Sequence, residues 1–247
     1  MARYFMTLAF RGAGYHGWQS QPGVVTVQSA IENAMGLLLH RSVAITGAGR
    51  TDTGVNARHM VAHFDMDESE ADPAALMRSL NSMLGPDIAI YDIRRVHDTA
   101  HARFDATSRT YHYYATDIKS PFDYPLAWKA PAKFDYDAMN RAASLLLDTE
   151  DFTSFAKLHS DTKTNICRVT RAEWIADGPT RHVFVITADR FLRNMVRAVV
   201  GTLADVGRGK LSIDEFRRII DRRDRCAAGT SMPPHALFLW DVTYDYI

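Results

Sequence analysis

Through the first 96 residues, the hydrophobic spacing switches between a period of two and a period near 3.6, in an order that few folds accommodate. Tyr4 to Phe10 reads as a strand. The spacing predicts a helix over 27–39, with Thr26 as its N-cap and Val27, Ile31, Ala34 and Leu38 on one stripe. Strands are expected at 43–48 and 59–66; in the second, Met60, Ala62, Phe64 and Met66 alternate with Val61, His63 and Asp65. Asp72-Pro73 opens a second helix by cap and first-turn chemistry, with Leu76, Leu80 and Met83 or Leu84 facing inward. Gly85-Pro86 ends it, and Ile88 to Val96 is another strand. Strand, helix, strand, strand, helix, strand is the split βαβ order of a ferredoxin-like unit.

The second half repeats that order without residue-level similarity. Strands are expected at 109–116, 166–176, 182–187 and 236–244, and helices at 136–147, 191–206 and 213–222. Asp177-Gly178-Pro179 is the turn between the middle two strands. Residues 97–108 have no periodicity and read as a linker, so the chain divides into halves 1–104 and 105–247. The expected fold is α+β, two pseudo-equivalent halves with a shared cleft.

The 247 residues, 47% hydrophobic, suffice for one large core or two small domains. Lys+Arg and Asp+Glu both total 29, so net charge gives no sign of a nucleic-acid partner and local clusters must decide. Cys167 and Cys226 form no CxxC pair, which argues against a disulfide framework or a zinc site. The apolar run near Met1 reaches Arg11 too soon for a signal peptide, and no stretch is long enough to span a membrane. A soluble cytoplasmic protein is expected.

Between the strands at 43–48 and 59–66 lies Gly47-Ala48-Gly49-Arg50-Thr51-Asp52-Thr53-Gly54-Val55-Asn56-Ala57-Arg58. It places one carboxylate beside a cation and a hydroxyl, among glycines that let a backbone turn tightly or approach a ligand. The plain alternative is a turn capped by Asp52. Two glycines stand at P-loop spacing, but Val55-Asn56 replaces the Lys-Ser/Thr that phosphate binding requires. His59 and His63 are four apart on a strand, roughly 13 Å, too far for one metal ion. A second carboxylate for glycoside hydrolysis cannot be assigned from spacing. Asp52-Thr53-Gly54 also matches the aspartic-protease signature. That chemistry needs two such loops sharing a proton, and Arg50 would oppose the sharing.

Basic and aromatic residues gather where RNA contacts would be expected. Along the strand at 109–116, Arg109, Tyr111 and Tyr113 share one face, and His112 and Tyr114 the other. Aromatic faces beside guanidinium groups stack unpaired bases, each worth roughly 1–3 kcal/mol; tyrosines are also simply good strand formers. If 191–206 is helical from its start, Arg190, Arg193 and Arg197 fall on one stripe, and Phe191, Met195, Val199 and Leu203 on another that looks like core. Arg217, Arg218, Arg222, Arg223 and Arg225 add positive density, diluted by Asp214, Glu215, Asp221 and Asp224. A basic stripe can equally be a solvated face.

Seven stretches together resemble the bacterial tRNA pseudouridine synthase A family, in the family's order along nearly the whole chain. They are Tyr15-His16-Gly17-Trp18-Gln19-Ser20-Gln21, Gly49-Arg50-Thr51-Asp52-Thr53-Gly54-Val55, His101-Ala102-Arg103-Phe104, Arg109-Thr110-Tyr111-His112-Tyr113, Asp151-Phe152-Thr153-Ser154-Phe155, Phe191-Leu192-Arg193-Asn194-Met195-Val196-Arg197 and Ala236-Leu237-Phe238-Leu239. One departure is Asn56, where the family commonly has His. The resemblance implies two ferredoxin-like halves forming one continuous, mainly antiparallel central sheet, with the active site in the cleft between them. It implies a homodimer whose subunits jointly hold a tRNA. The implied reaction is isomerisation of uridine to pseudouridine at positions 38, 39 and 40 of the anticodon arm, with no cofactor or metal. By position, Asp52 matches the catalytic aspartate and Tyr111 the tyrosine that contacts the target base. Arg50 matches the arginine of base extrusion, Arg197 the one that pairs with the aspartate, and Leu237 an apolar wall of the pocket.

These residue types suit that chemistry on their own terms. The reaction breaks N1–C1′, turns the ring over and joins C5 to C1′, so no redox or group-carrying cofactor is required. An ionised carboxylate can attack C1′ or stabilise positive charge there, and a base must leave the stack to react. Two other classes remain at this level. One is a non-catalytic RNA-binding protein in which Asp52 caps a turn; the other is a dimeric aspartic hydrolase.

Overall fold

The computed structural model describes residues 1–70, 72–131, 134–158 and 163–247. The chain divides into two compact units, residues 1–107 with 239–247, and residues 108–238. Both combine helices with mostly antiparallel strands, and no described helix is long and apolar enough to cross a membrane.

The first unit runs β1 (Ala2–Phe10), α1 (Val27–Leu39), β2 (Thr46–Gly47), β3 (Asn56–Met66), α2 (Pro73–Met83) and β4 (Ile88–Arg95). β1 lies between β3 and β4, antiparallel to both, and β2 pairs antiparallel with β3. Helix α1 starts where its capping chemistry puts it: the Thr26 hydroxyl accepts the Ser29 N–H at 3.1 Å, and Ser29 Oγ accepts the Thr26 N–H at 3.0 Å. Asp72 caps α2 in the same way, accepting the Ala75 N–H at 2.9 Å. Val27, Ile31, Ala34 and Met35 form the buried stripe of α1, so Met35 takes the place expected for the half-buried Leu38.

Two expectations change here. The strand expected at 43–48 shrinks to Thr46–Gly47. Ile45 gives its backbone to α1 instead, donating to Glu32 Oε1 and accepting from Gln28 Nε2, both at 3.0 Å. Those bonds take the place of a strand ladder. Residues 97–107 are not a free linker either. Ala100 and Ala102 are fully buried, the Ala102 N–H donates to His63 Nδ1 at 3.1 Å, and the Tyr244 hydroxyl donates to the Ala102 carbonyl at 2.5 Å. This segment packs on His63, and Met60 to Phe64 are all buried despite their alternation.

The second unit contains β5 (Ser108–Thr116), β6 (Trp128–Lys129), α3 (Tyr136–Ala143), β7 (Val169–Ala176), β8 (Arg181–Ala188), α4 (Met195–Gly207) and α5 (Ile213–Arg222). β8 lies between β5 and β7, antiparallel to both, and β6 adds a short parallel pairing to β5. The last strand is β9 (Leu237–Thr243), preceded by a 3-10 turn at Pro234–Ala236. The helix expected over 136–147 tightens into a 3-10 turn at Ser144–Asp148, where the Ser144 hydroxyl donates back to the Arg141 carbonyl at 2.9 Å. β7 starts at Val169 because 165–167 pairs elsewhere: Asn165 O accepts from Phe152 N and Cys167 N donates to Glu150 O, both at 3.0 Å.

The largest revision is at α4, which begins at Met195 and not at 191. Asn194 is left-handed, with φ +66°, and its side-chain amide donates to Ser231 Oγ at 2.6 Å. A helix does not continue through such a residue. Arg190 and Arg193 therefore precede the helix, and the basic stripe expected with Arg197 does not form. Met195, Val199 and Leu203 are core as expected.

Candidate active site

The loop between β2 and β3 carries Asp52. Its tip is a four-residue turn closed by the Val55 N–H donating to the Asp52 carbonyl at 3.1 Å, with Gly54 at φ +79°. A left-handed third residue is what such a turn asks of glycine. The turn is thus made by the Asp52 backbone. The Asp52 side chain is half-buried, and Arg50 is exposed.

A second glycine-rich segment, after β1, fixes this loop from outside. The Trp18 N–H donates to the Thr51 carbonyl at 3.3 Å. Gly17, at φ +84°, passes so close that a Cβ there would lie 2.5 Å from the same carbonyl oxygen. The Trp18 ring, 2% exposed, fills the space beside Gly47, where a Cβ would sit 2.5 Å from the indole. The glycines at 17 and 47 therefore serve contact between two pieces of chain. At the root of the loop, buried Asn56 accepts the Gly12 N–H on Oδ1 at 3.0 Å. The Thr51 hydroxyl is buried with no hydrogen-bond partner among the described residues.

In the second unit, Tyr111 sits half-buried on β5 opposite Ile186, with Phe191 edge-on to its ring at 5.0 Å and 84°. Tyr113, which the sequence places on the same strand face, is fully buried. The Tyr113 hydroxyl donates to the Pro233 carbonyl at 3.2 Å, and burial raises its pKa. That makes Tyr113 a core residue. Burial, reinforced by Arg171, pushes His112 down to about 4.

Arg197, in the first turn of α4, is doubly tied to one residue. Its Nε donates to the Met232 carbonyl at 2.6 Å, while the Met232 N–H donates to the Arg197 carbonyl at 3.0 Å. The planar guanidinium is thereby oriented by the Met232 carbonyl. Leu237, 5% exposed, opens β9. The Phe191 and Met232 contacts were not foreseen, because they join segments far apart in sequence; quoting Phe191 as core was the nearest signal.

Some of the basic density is already committed. Arg225 turns onto Ser231 Oγ at 2.9 Å, Arg223 pairs with Asp151 at 3.2 Å, and Arg109 donates to the Asp189 carbonyl at 2.7 Å. Arg217, Arg218 and Arg222 on α5 are exposed. His59 binds Asp241 at 2.6 Å, and His63 faces Ala102, so the two histidines serve different parts of the first unit.

A tRNA pseudouridine synthase A of Parabacteroides distasonis is 55% identical, covering 99% of this chain and 96% of that protein. The chain belongs to the tRNA pseudouridine synthase A family. The namesake from Porphyromonas gingivalis is 53% identical, over 99% of this chain and 98% of its own length. That of Chlorobaculum tepidum is 42% identical over 97% and 96%. A family profile described as tRNA pseudouridine synthase matches residues 142–245, which include Phe191, Arg197 and Leu237. Asn56, one departure from the resembled pattern, is the residue that fastens Gly12.

Proposed function

We propose that this chain is a tRNA pseudouridine synthase that isomerises uridine to pseudouridine at positions 38, 39 and 40 of the anticodon arm. Identity of 55% along the full length with a protein of that name carries the reading. Asp52 is the reacting carboxylate, at the head of a turn braced by Gly17 and Trp18. It attacks C1′ or stabilises the positive charge that develops there as N1–C1′ breaks. The freed ring turns and C5 joins C1′, displacing the Asp52 carboxylate where it had bonded there; the C5 proton leaves and N1 gains one. Atoms and charge balance without a redox or group-carrying cofactor.

Arg50, exposed beside the carboxylate, assists extrusion of the target nucleotide. Tyr111 lies against the extruded base, and Leu237 gives that pocket an apolar wall. Arg197 supplies the positive charge that pairs with the carboxylate. The order β4-β1-β3, with β2 on β3, supports a ferredoxin-like first half. We extend that reading to halves 1–104 and 105–247 built around one continuous sheet, and to a cytoplasmic homodimer that shares a tRNA.

Unmodified tRNA labelled with tritium at uridine C5 tests the proposal. The intact protein should release tritium, and Asp52→Asn should abolish release while keeping tRNA affinity. Unchanged release by Asp52→Asn would remove Asp52 from the chemistry. Binding without release by the intact protein would leave a binding protein only.

A further inference from the structure

Residues 101–105 form a rigid turn that presents one apolar ring to solvent. His101 Nδ1 accepts the backbone N–H groups of Arg103 at 3.1 Å and Phe104 at 3.3 Å. The His101 N–H donates to Asp105 Oδ2 at 2.7 Å, and the Tyr246 hydroxyl donates to the same oxygen at 2.8 Å. His63, 8% exposed, packs edge-on to His101 with centroids 4.6 Å apart. Burial lowers the His101 pKa, so its ring is a neutral, flat surface at physiological pH.

Phe104 stacks on that imidazole, with centroids 4.1 Å apart and 29° between the planes, yet it is 74% exposed. The Arg103 guanidinium stands 5.7 Å from the Phe104 centroid. A solitary surface phenylalanine needs no partner to explain it. Here, however, four hydrogen bonds fix the turn and a second ring backs the side chain, which lowers the ordering cost of a contact in advance.

We propose that Phe104 is a stacking platform for an unpaired nucleobase of the RNA substrate, distinct from the target base assigned to Tyr111. This rests on reading the chain as a tRNA-modifying enzyme. A flat apolar ring backed by a second ring offers any base a π-face, and stacking of this kind tolerates sequence. Arg103, on a flexible stem beside the ring, can reach the phosphate of the stacked nucleotide. Around the ring, Arg103 is charged and the half-exposed Tyr246 turns its hydroxyl to Asp105, so polar groups interrupt the apolar surface next to Phe104.

The test measures affinity for an unmodified tRNA transcript by fluorescence anisotropy, in the Asp52→Asn background so that no turnover intervenes. Phe104→Leu, which keeps apolar volume without a π-face, should weaken binding roughly 5- to 150-fold. Phe104→Trp should stay within about twofold. The slope of log affinity against log salt should be unchanged in Phe104→Leu and fall by about one in Arg103→Gln. Parent-like binding by Phe104→Leu overturns the proposal, as does an equal loss in Phe104→Trp. A shift in sedimentation with unchanged RNA affinity would assign the ring to a second copy of the chain, and overturns it too. Tritium release by the intact protein reports separately on the isomerase reading. RNA affinity that depends on Phe104 without release would keep the platform and remove the isomerase; release with no such dependence would do the reverse.

Discussion

The buried side-chain oxygen of Asn56 accepts the backbone N–H of Gly12 at 3.0 Å, fastening the segment after β1 to the first residue of β3. The bond sits at the root of the loop that carries Asp52. Removing the acceptor leaves a buried N–H unsatisfied, which costs about 1–3 kcal/mol. Asn56→Ala should therefore unfold at lower urea with an unchanged m-value, and turn over more slowly at saturating tRNA. A stability change under about 0.5 kcal/mol would show that the bond is not holding the loop.

What was legible in the sequence follows the range of the interactions involved. Helices α1 and α5 begin at their expected residues because Thr26 with Ser29, and Ser212 with Glu215, form caps within four residues. The start of α4 was not legible, since Asn194 is held left-handed by Ser231, 37 residues away. The lost strand at 43–45 has the same kind of cause, Gln28 and Glu32 of a preceding helix satisfying Ile45. Asp52 stood out because a carboxylate among glycines is a local signal. The partner that orients Arg197 is a main-chain carbonyl, and no side-chain pattern marks one.

Gly17 joins two constraints in one residue, a φ of +84° and a Cβ position 2.5 Å from the Thr51 carbonyl oxygen. Either alone disfavours a side chain; together they leave no relaxed position for one. Gly17→Ala should destabilise the protein by more than about 1 kcal/mol and reduce turnover further, because the displaced carbonyl belongs to the residue before Asp52. Gly14→Ala, where a Cβ would meet nothing within 4 Å, is the matched control and should behave like the parent. Equal effects in the two variants would refute the bracing of the loop by Gly17.

His63 ties stability to pH. Burial is the main cause that lowers it from 6.5 to about 4, with Arg3 and His101 adding to the effect and Asp65 and Asp105 opposing it. Its Nδ1 must stay unprotonated to accept the Ala102 N–H. The folded pKa lies below the unfolded value, so between about 4 and 6.5 the unfolded chain binds a proton that the folded chain refuses. The stabilisation is present above 6.5 and is lost as pH falls through that window. Urea midpoints at pH 7, 5.5 and 4.5 should fall more steeply in the parent than in His63→Gln, which keeps an acceptor without titrating. An identical fall would transfer the effect to other groups, of which His112, also near 4, is the first to examine.

Phe191 meets the Tyr111 ring edge-on at 5.0 Å and helps to set its tilt. Such a pair is worth about 0.5–1.5 kcal/mol beyond burial, enough to bias the tilt of the tyrosine ring. If the target base lies on Tyr111, loss of that bias should appear in kcat/KM and leave the fold intact. Phe191→Leu is expected to lower kcat/KM about 2- to 12-fold, and Tyr111→Ala on the order of 100-fold or more, near the upper range for one base stack. Tyr111→Phe should fall between the parent and Tyr111→Ala. The deciding measurement is the double variant: because Phe191 acts through Tyr111, Tyr111→Ala with Phe191→Leu should be no slower than Tyr111→Ala alone. Multiplicative losses would mean that Phe191 contacts the RNA by its own route, and that the edge-on pair is packing without a part in catalysis.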